Sequence, residues 1–213
     1  MRLFVAIDID PEIRGRIARF VEGMRGFAPE ARWVSLPSLH LTLKFIGERP
    51  PEDTEAIKRA LASIPAPPAA MSFQGCGFFP TPRAARVFWI GIEAGPELPA
   101  LAAQVESSLL RLKIPREDRA FSPHLTLARA GDSRHPRGGS GRPGFEKGDQ
   151  PNSRFSRLQQ KLTLVPPPEF GRMTANEFFL YESKLLPGGA QYTKLARFRL
   201  GVSGDAPAAA SDG

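Results

Sequence analysis

Two short segments with the same sequence hold the residues best suited to chemistry. The tetrapeptide His-Leu-Thr-Leu at His40–Leu43 recurs unchanged at His124–Leu127, and together the copies contain two of the three histidines in the 213-residue chain. A single His-x-Thr segment is more often structural than functional, but an identical second copy favours function. Imidazole exchanges protons near neutral pH. The pair therefore predicts a site of proton transfer.

The spacing within each copy suits a strand that presents polar groups on one face. Because strand side chains alternate, His40 and Thr42 point one way and the leucines the other, and the same holds for His124 and Thr126. If two related lobes face one another, both imidazoles meet in one cleft. One imidazole can then take a proton from water while the other protonates a leaving oxygen, and the hydroxyls can donate hydrogen bonds to the remaining oxygens. This pattern predicts in-line displacement at phosphorus.

A metal site is the alternative for these histidines. It requires a third protein ligand, and the remaining histidine, His135, lies in a Gly-rich stretch. Cys76 is the single cysteine, so no intramolecular disulfide forms, and we expect it to be a small buried strand residue and not a nucleophile. The sequence therefore predicts no metal and no cofactor.

Composition and charge define the broad class of the protein. With 41% hydrophobic and 24% charged residues, the chain is typical of a globular protein and unlike a disordered, collagenous or coiled-coil one. The formal charge of +7 favours an anionic partner, although a solvated surface carries such a charge equally well. The apolar run Leu3–Ile7 is too short for a signal peptide or a membrane span. We predict a cytoplasmic protein that does not bind membranes.

The elements around the two motifs predict an α+β fold. The first motif lies in a strand at 39–46, after a strand at 2–9 and a helix that begins at Pro11, with Asp10 as its N-cap. Periodicity places the remaining elements in the order helix 51–64, strands 71–79 and 86–93, helix 97–113, strand 121–128, helix 153–162, and strands 170–183 and 190–200. The order is roughly duplicated, so we predict two related lobes.

Two segments rich in Pro and Gly are excluded from this core. The stretch at 131–152 has almost no apolar residue except Phe145, so it is predicted to be a flexible loop. The segment 201–213 is predicted to be a disordered tail. A single bilobal domain then spans 1–200, and we expect the loop to be a tolerated insertion and not part of the substrate site.

The motifs also resemble those of a known family. The HxTx segments HLTLKFIG, from His40, and HLTLAR, from His124, are similar to those of the 2H phosphoesterase superfamily. The segments RLFVAID, FFPTPRAARVFWIGI and FFLYES resemble its RNA 2′,3′-cyclic phosphodiesterase branch, which is also called 2′-5′ RNA ligase-like. The resemblance extends from about Arg2 to Leu200. It implies two pseudo-symmetric lobes, each an antiparallel sheet with outer helices, that enclose a central cleft.

The resemblance implies hydrolysis of the 2′,3′-cyclic phosphate at an RNA end to a 2′-phosphate, without a metal. By motif position, His40 matches the proton donor to the leaving 3′ oxygen and His124 matches the base that activates water. Thr42 and Thr126 match phosphate-binding hydroxyls. The implied substrates are RNA with cyclic phosphate ends or small cyclic nucleotides, and a monomer is expected.

Two further positions match the family under a geometric condition. Arg129 matches a phosphate-contacting arginine, but strict alternation puts it on the face opposite His124. This role therefore requires the strand to end or bulge near Ala128. Phe45 matches an aromatic position suited to stacking a base, whereas strand parity fits a core residue equally well.

Three other conspicuous residues have structural explanations. Lys44 is expected on the same strand face as His40, as a solvated lysine at the strand edge. Trp33 and Trp89 lie beside apolar strand residues, so both are predicted to be core residues.

Two other functions stay open at the level of sequence. One is an RNA-end-binding module without turnover, which the intact motifs disfavour. The other is the reverse, joining reaction that forms a 2′-5′ linkage, because the same acid and base catalyse both directions.

Overall fold

The computed structural model describes residues 1–131, 153–186 and 189–201, which contain nine strands and four helices. The strands are β1 (Arg2–Asp8), β2 (Ala31–Trp33), β3 (His40–Glu48), β4 (Ala69–Phe79), β5 (Val87–Ala94), β6 (His124–Ala130), β7 (Glu169–Ala175), β8 (Glu177–Leu186) and β9 (Gly189–Arg199). The helices are α1 (Pro11–Arg25), α2 (Asp53–Ala62), α3 (Glu97–Leu110) and α4 (Ser156–Leu162). The predicted loop after Gly131, including His135, and the predicted tail after Gly201 lie outside the described residues.

The strands form two antiparallel sheets, and each motif lies in a different one. The first sheet has the order β3-β1-β8-β9, and the second has the order β2-β6-β5-β4-β7. The first motif begins β3 and the second begins β6. The two strands contact each other where the sheets meet. The predicted α+β fold, with two antiparallel sheets and helices, is confirmed.

The single strand predicted at 170–183 is wrong, because the chain changes sheets at Asn176. β7 pairs with β4 in the second sheet, whereas β8 pairs with β1 in the first. Buried Phe170, Ala175 and Phe178 lie on both sides of the change, so the apolar pattern runs through it without a break. The N–H of Leu200 donates to the carbonyl of Asn176 at 2.8 Å and holds the chain there.

This crossing changes how the lobes relate to the sequence. The duplicated order of elements suggested that the first and second sections of the chain would each form one lobe. Instead, the first sheet pairs β1 and β3 with β8 and β9, and the second sheet combines β2, β4 and β5 with β6 and β7. Each lobe therefore contains strands from both parts of the chain.

The helices cover the apolar faces of the sheets. The side chain of Asp10 accepts a hydrogen bond from the N–H of Glu12 at 2.8 Å, and Pro11 occupies the first turn of α1, as predicted. The buried face of α1 is formed by Ile13, Ile17, Val21 and Met24. Among the described helices, none is both long and apolar enough to cross a membrane.

A second, smaller apolar cluster lies on the opposite face of the first sheet. We call it the aromatic cluster; it consists of Phe4, Ala6, Phe179, Tyr181 and Tyr192. Phe4 and Ala6 come from the same face of β1 as Asp8, which is the register partner of His40. The aromatic cluster therefore surrounds the first motif histidine and not the main core.

Candidate active site

A β-bulge interrupts β3 directly after the His-Leu-Thr triplet of the first motif. Thr42 lies opposite Ala6 and Lys44 lies opposite Val5, so Leu43 has no partner of its own on β1. An extra residue of this kind reverses the alternation of the side chains that follow it, up to the next irregularity. Thr42 and Phe45, which are three residues apart on either side of Leu43, therefore share a face.

The second motif contains the same irregularity at the same position. In β6, Thr126 lies opposite Trp89 and Ala128 lies opposite Phe88, which leaves Leu127 as the extra residue. Ala128 is fully buried in consequence. The two identical tetrapeptides thus form two identical strand distortions.

The bulges decide where the residues after each motif point. Phe45 lies opposite Phe4 of the aromatic cluster, on the same face as His40, and is 54% exposed. Arg129 lies opposite Val87, on the same face of the second sheet as His124. The bulge that the arginine required is therefore present, and the parity argument for a core Phe45 is wrong because it assumed regular alternation.

The prediction that Lys44 is a solvated lysine on the same face as His40 is wrong. The bulge turns it away from His40 into the interior, where it is only 2% exposed. Its Nζ donates to Oε1 of Glu106 on α3 at 2.9 Å and to the carbonyl of Pro115 at 2.8 Å. A lysine is rarely buried unless its charge is paired. This ion pair fastens the bulged part of β3 to α3.

Both motif histidines are oriented by the backbone in the same way. Nδ1 of His40 lies 2.7 Å from the carbonyl oxygen of Ser38, and Nδ1 of His124 lies 2.8 Å from that of Ser122. A carbonyl can only accept, so each Nδ1 carries the hydrogen and Nε2 is left to exchange protons. Neither serine was predicted as a site residue, although the repeat extends to Ser-x-His-Leu-Thr-Leu.

His40 is enclosed by aromatic rings. The ring centroids of Phe4 and Tyr192 lie 4.7 Å and 5.1 Å from that of the imidazole, and Tyr181 stacks on Phe4 at 5.1 Å. The hydroxyl of Tyr181 donates to Asp8, which also pairs with Lys194. These rings were not predicted as neighbours of His40, since their strands are far apart in the chain.

Burial and nearby charges determine the protonation of His40. Burial is the main cause that lowers the pKa of His40, and the positive charges of Arg129 and Arg14 lower it further. The carbonyl of Ser38 and the carboxylate of Asp8 act in the opposite direction without overcoming burial. Arg129 belongs to the second sheet, so its charge acts on His40 across the junction at which β3 and β6 contact each other.

The surroundings of His124 are also aromatic. Its imidazole lies edge-on to Phe79 at 5.0 Å and 6.5 Å from Trp89, and these two rings stack at 4.9 Å. The prediction of a core Trp89 is wrong, because this half-buried ring lies on the same sheet face as His124. Trp33, which was also predicted to be a core residue, is half-buried against the main core and donates from Nε1 to the carbonyl of Ala28.

The described residues hold no obvious alternative chemistry. Cys76 is half-buried against the main core, and burial raises the pKa of its thiol. Within residues 1–131, 153–186 and 189–201, no group of three His, Cys, Asp or Glu side chains is placed to hold a metal ion.

Comparison with known proteins identifies the family. The sequence profile described as LigT like Phosphoesterase matches residues 7–89. An RNA 2′,3′-cyclic phosphodiesterase of Archaeoglobus fulgidus is 32% identical over 198 residues, which cover 93% of this chain and 99% of that protein. The chain belongs to the LigT-like phosphoesterase family. The resemblance to 2H phosphoesterases is confirmed.

Other members of the family agree in sequence and in structure. A Thermus thermophilus protein, also named RNA 2′,3′-cyclic phosphodiesterase, is 35% identical over 211 residues, 94% of this chain and 90% of its own length. The crystal structure of Escherichia coli LigT complexed with 3′-AMP has a TM-score of 0.71 and 29% identity, and the match covers 94% of this chain and 98% of that one.

In this LigT-like phosphoesterase, the six residues singled out from the sequence share one face of each sheet. The first sheet contributes His40, Thr42 and Phe45, and the second contributes His124, Thr126 and Arg129. The two sets occupy equivalent positions around equivalent bulges.

Proposed function

We propose that this phosphoesterase hydrolyses the 2′,3′-cyclic phosphate at an RNA end to a 2′-phosphate with two histidines and no metal. The general activity is the one for which its relatives are named. The observation that carries the mechanism is the matched orientation of His40 and His124, each with Nδ1 on a serine carbonyl. Both Nε2 atoms are then available for proton transfer to and from a substrate between the sheets.

Each histidine has a distinct role in the reaction. His124, neutral, accepts a proton from water at Nε2 while the water oxygen forms a bond to phosphorus. The bond between phosphorus and the 3′ oxygen breaks, and His40 donates its Nε2 proton to that oxygen. The bond to the 2′ oxygen stays intact, so the product has a 2′-phosphate and a free 3′-hydroxyl.

The remaining site residues stabilise negative charge on the phosphate. Thr42 and Thr126 donate hydrogen bonds to the non-bridging oxygens, and the guanidinium of Arg129 offsets the charge that accumulates on them in the transition state. Phe45, exposed beside His40, stacks on the base of the terminal nucleotide. The charge of the site is thus provided by protein side chains, which supports catalysis without a metal.

The lowered pKa of His40 is compatible with its role as the acid. In the free protein, burial favours the neutral imidazole. A bound phosphodiester places a negative charge near the ring, which favours the protonated form. The donor is therefore protonated mainly when substrate is present.

A product assay tests this function. A short RNA with a 2′,3′-cyclic phosphate, incubated with the protein in EDTA, is expected to yield the 2′-phosphate. His40→Ala and His124→Ala are each expected to reduce kcat by about 10²- to 10⁴-fold with unchanged circular dichroism. Phe45→Ala is expected mainly to raise KM, and Phe45→Tyr to preserve it.

Three outcomes of this assay would contradict the proposal. Turnover that survives replacement of both histidines would exclude the mechanism, and loss of activity in EDTA would exclude metal independence. Tight binding of RNA ends without product would favour the binding module. Formation of 2′-5′ linkages in place of a 2′-phosphate would favour the joining reaction. A cytoplasmic monomer is the setting that the sequence predicts for this activity.

A further inference from the structure

The ring of Trp89 lies on the same face of the second sheet as His124 and has no role in the reaction described above. Trp89 is the register partner of Thr126 on β6 and of Gly77 on β4. Its indole Nε1 is buried and has no hydrogen-bond partner among the described residues, whereas a buried tryptophan usually has one. Within this part of the chain, the ring is therefore held by packing and not by a hydrogen bond.

Gly77 provides the surface on which the indole lies. A Cβ atom added to Gly77 would come within 2.4 Å, 2.7 Å and 2.9 Å of Cζ2, Cη2 and Cε2 of Trp89. Separations below 3.0 Å essentially never occur for real Cβ atoms. The three atoms belong to one rigid ring, so a larger residue at position 77 must displace the whole indole. Gly77 therefore determines where the indole lies.

A second glycine explains why His124 requires support from this ring. Gly91 is the register partner of His124, at the place where a side chain from the neighbouring strand would pack beside the imidazole. Cζ3 of Trp89 lies 3.5 Å from the position that a Cβ of Gly91 would take. The indole thus extends from Gly77 towards Gly91 and fills part of the space beside His124.

Phe79 connects the indole to the imidazole. The rings of Phe79 and Trp89 stack with their centroids 4.9 Å apart and their planes 28° from parallel. Phe79 then meets the ring of His124 at 5.0 Å and 79°, and Trp89 itself is 6.5 Å from it. Aromatic pairs are favourable in both arrangements at these separations. A chain of ring contacts therefore runs from Gly77 to the histidine.

The backbone anchor of His124 does not fix its ring completely. Nδ1 lies 2.8 Å from the carbonyl oxygen of Ser122. A single hydrogen bond at one edge of an imidazole lets the ring rock about that bond, which moves Nε2 on the other edge. A misplacement of about 1 Å can lower the rate of a catalysed step about 10²-fold. Contacts along the flank of the imidazole, from Phe79 and Trp89, oppose this motion.

The other motif histidine is supported in a different way. The register partner of His40 is Asp8, which has a side chain, and Phe4 and Tyr192 lie directly beside the imidazole at 4.7 Å and 5.1 Å. His124 depends instead on a ring whose position is set by a glycine on β4, two strands away. A change at Gly77 should therefore act on His124 and leave His40 unaffected.

We propose that Trp89 is a positioning residue for His124, seated on Gly77 and acting together with Phe79. The inference rests on the proposed function, in which His124 is the base that activates water. Trp89 takes no part in the proton transfer. It restricts the imidazole to the orientation in which Nε2 faces the attacking water, so its loss impairs kcat and not substrate binding.

A double-mutant cycle tests this role. kcat and KM are measured for a mononucleotide 2′,3′-cyclic phosphate with the wild type, Trp89→Leu, Gly77→Ala and the two changes together. Each single change is expected to lower kcat about tenfold and to change KM less than about twofold. The combined variant is expected to resemble Trp89→Leu, because the methyl group added at position 77 no longer meets a ring.

A conservative variant separates positioning from general packing. Trp89→Phe keeps a ring that can stack on Phe79 and is expected to retain most of the wild-type kcat. If Gly77→Ala does not fold, the comparison of Trp89→Leu with Trp89→Phe decides the question by itself. Gly23→Ala is the matched control, because Gly23 is an exposed glycine of α1 where an added Cβ meets nothing within 4 Å. It should leave kcat and KM unchanged.

Two spectroscopic measurements show whether the effect is local. The two tryptophans of the chain are Trp33 and Trp89, so Trp33→Phe leaves Trp89 as the only source of indole fluorescence. In this background, Gly77→Ala is expected to shift the emission to longer wavelength as the indole moves towards solvent. The NMR titration of His40 is expected to be the same in the wild type and in all of these variants.

The outcomes separate this inference from the proposed function. A wild-type kcat in Trp89→Leu, additive losses in the combined variant, or a loss of kcat accompanied by a changed titration of His40 would each overturn the positioning role. A raised KM with an unchanged kcat would also overturn it, because Trp89 would then act on the substrate. Absence of turnover by the wild-type protein would instead contradict the proposed function, and the emission of Gly77→Ala would still test the seating of Trp89.

Discussion

At the scale of single residues, His40 and His124 have the same sequence context and the same backbone anchor but different surroundings. His40 is enclosed by the aromatic cluster and is close to Asp8, Arg14 and Arg129, which act on its pKa in opposite directions. The identical motif therefore does not fix the proton affinity of its histidine. The charged groups supplied by other elements contribute to it.

The titration of His40 can be measured directly. By NMR, the pKa of His40 in the free protein is expected to lie below its ordinary value. Arg129→Gln should raise this pKa because it removes a positive charge, and Asp8→Asn should lower it because it removes a negative one. Arg111→Gln is the control, since Arg111 is not among the groups that act on His40.

The same shift has a consequence for stability. The folded protein binds the His40 proton less readily than the unfolded chain, so protonation favours unfolding. The contribution of His40 to stability is therefore lost as pH falls from the unfolded pKa to the folded one.

For the titration experiment, an unchanged pKa of His40 in the Arg129→Gln variant would mean that the two motifs do not share one space.

The sequence was sufficient to find the histidines and threonines because repetition is visible in the letters themselves. Ser38 and Ser122 could also have been found, since they repeat at the same offset, but their contribution is a backbone carbonyl, which any residue carries. The aromatic neighbours of His40 could not be found in this way. Phe4, Tyr181 and Tyr192 meet only through the pairing of strands that are distant in the chain.

At the scale of elements, the bulges at Leu43 and Leu127 are the features that sequence alternation failed to locate. A regular strand would point Phe45 and Arg129 away from the histidines. A bulge was anticipated near Ala128 only because the family resemblance required one, and none was anticipated in β3. Alternation predicts faces correctly through the fourth residue of each motif, Leu43 and Leu127, and wrongly for the residues directly after it.

The buried pair of Lys44 and Glu106 is expected to stabilise the bulged part of β3. Lys44→Met leaves the Glu106 carboxylate without its cation and should reduce the free energy of unfolding by about 3 kcal/mol. Joint replacement of Lys44 and Glu106 by Met should recover most of this loss, because no charge is then left unpaired. Denaturant titration measures both.

The control for this prediction is Lys58→Met, which breaks a pair of nearly the same Nζ to oxygen distance on the surface of α2. It is expected to change stability little, because exposed pairs are screened by solvent. If Lys44→Met were as harmless as Lys58→Met, the buried pair would not support β3.

At the scale of the whole molecule, each lobe contains one copy of the motif, but the lobes differ in strand number and are not separable along the chain. The repeated order of elements correctly predicted an α+β fold, and the family resemblance implied the two antiparallel sheets. It did not predict that the chain would return from the second sheet to the first at Asn176, because apolar residues continue across that point. Pairing partners are a property of the folded chain as a whole.

A fragment ending at Gly95 therefore should not fold. It contains β1 and β3 but lacks β8 and β9, so one side of β1 would lose its pairing partner and the apolar side chains between the sheets would be exposed. We expect the fragment to show little helix or strand by circular dichroism and no cooperative unfolding. The full chain is the control, and a cooperative transition in the fragment would show that the first section is an independent lobe.

The matched bulges also give the site a polarity. Two identical motifs facing each other would by themselves treat the two ends of a phosphodiester alike. The first position after each bulge that faces the site differs, however: it is an exposed aromatic ring in one sheet and a guanidinium in the other. In the reaction that we propose, the half with the ring receives the nucleoside and the half with the guanidinium receives the phosphate charge. A duplicated frame would in this way distinguish the leaving oxygen from the attacking water.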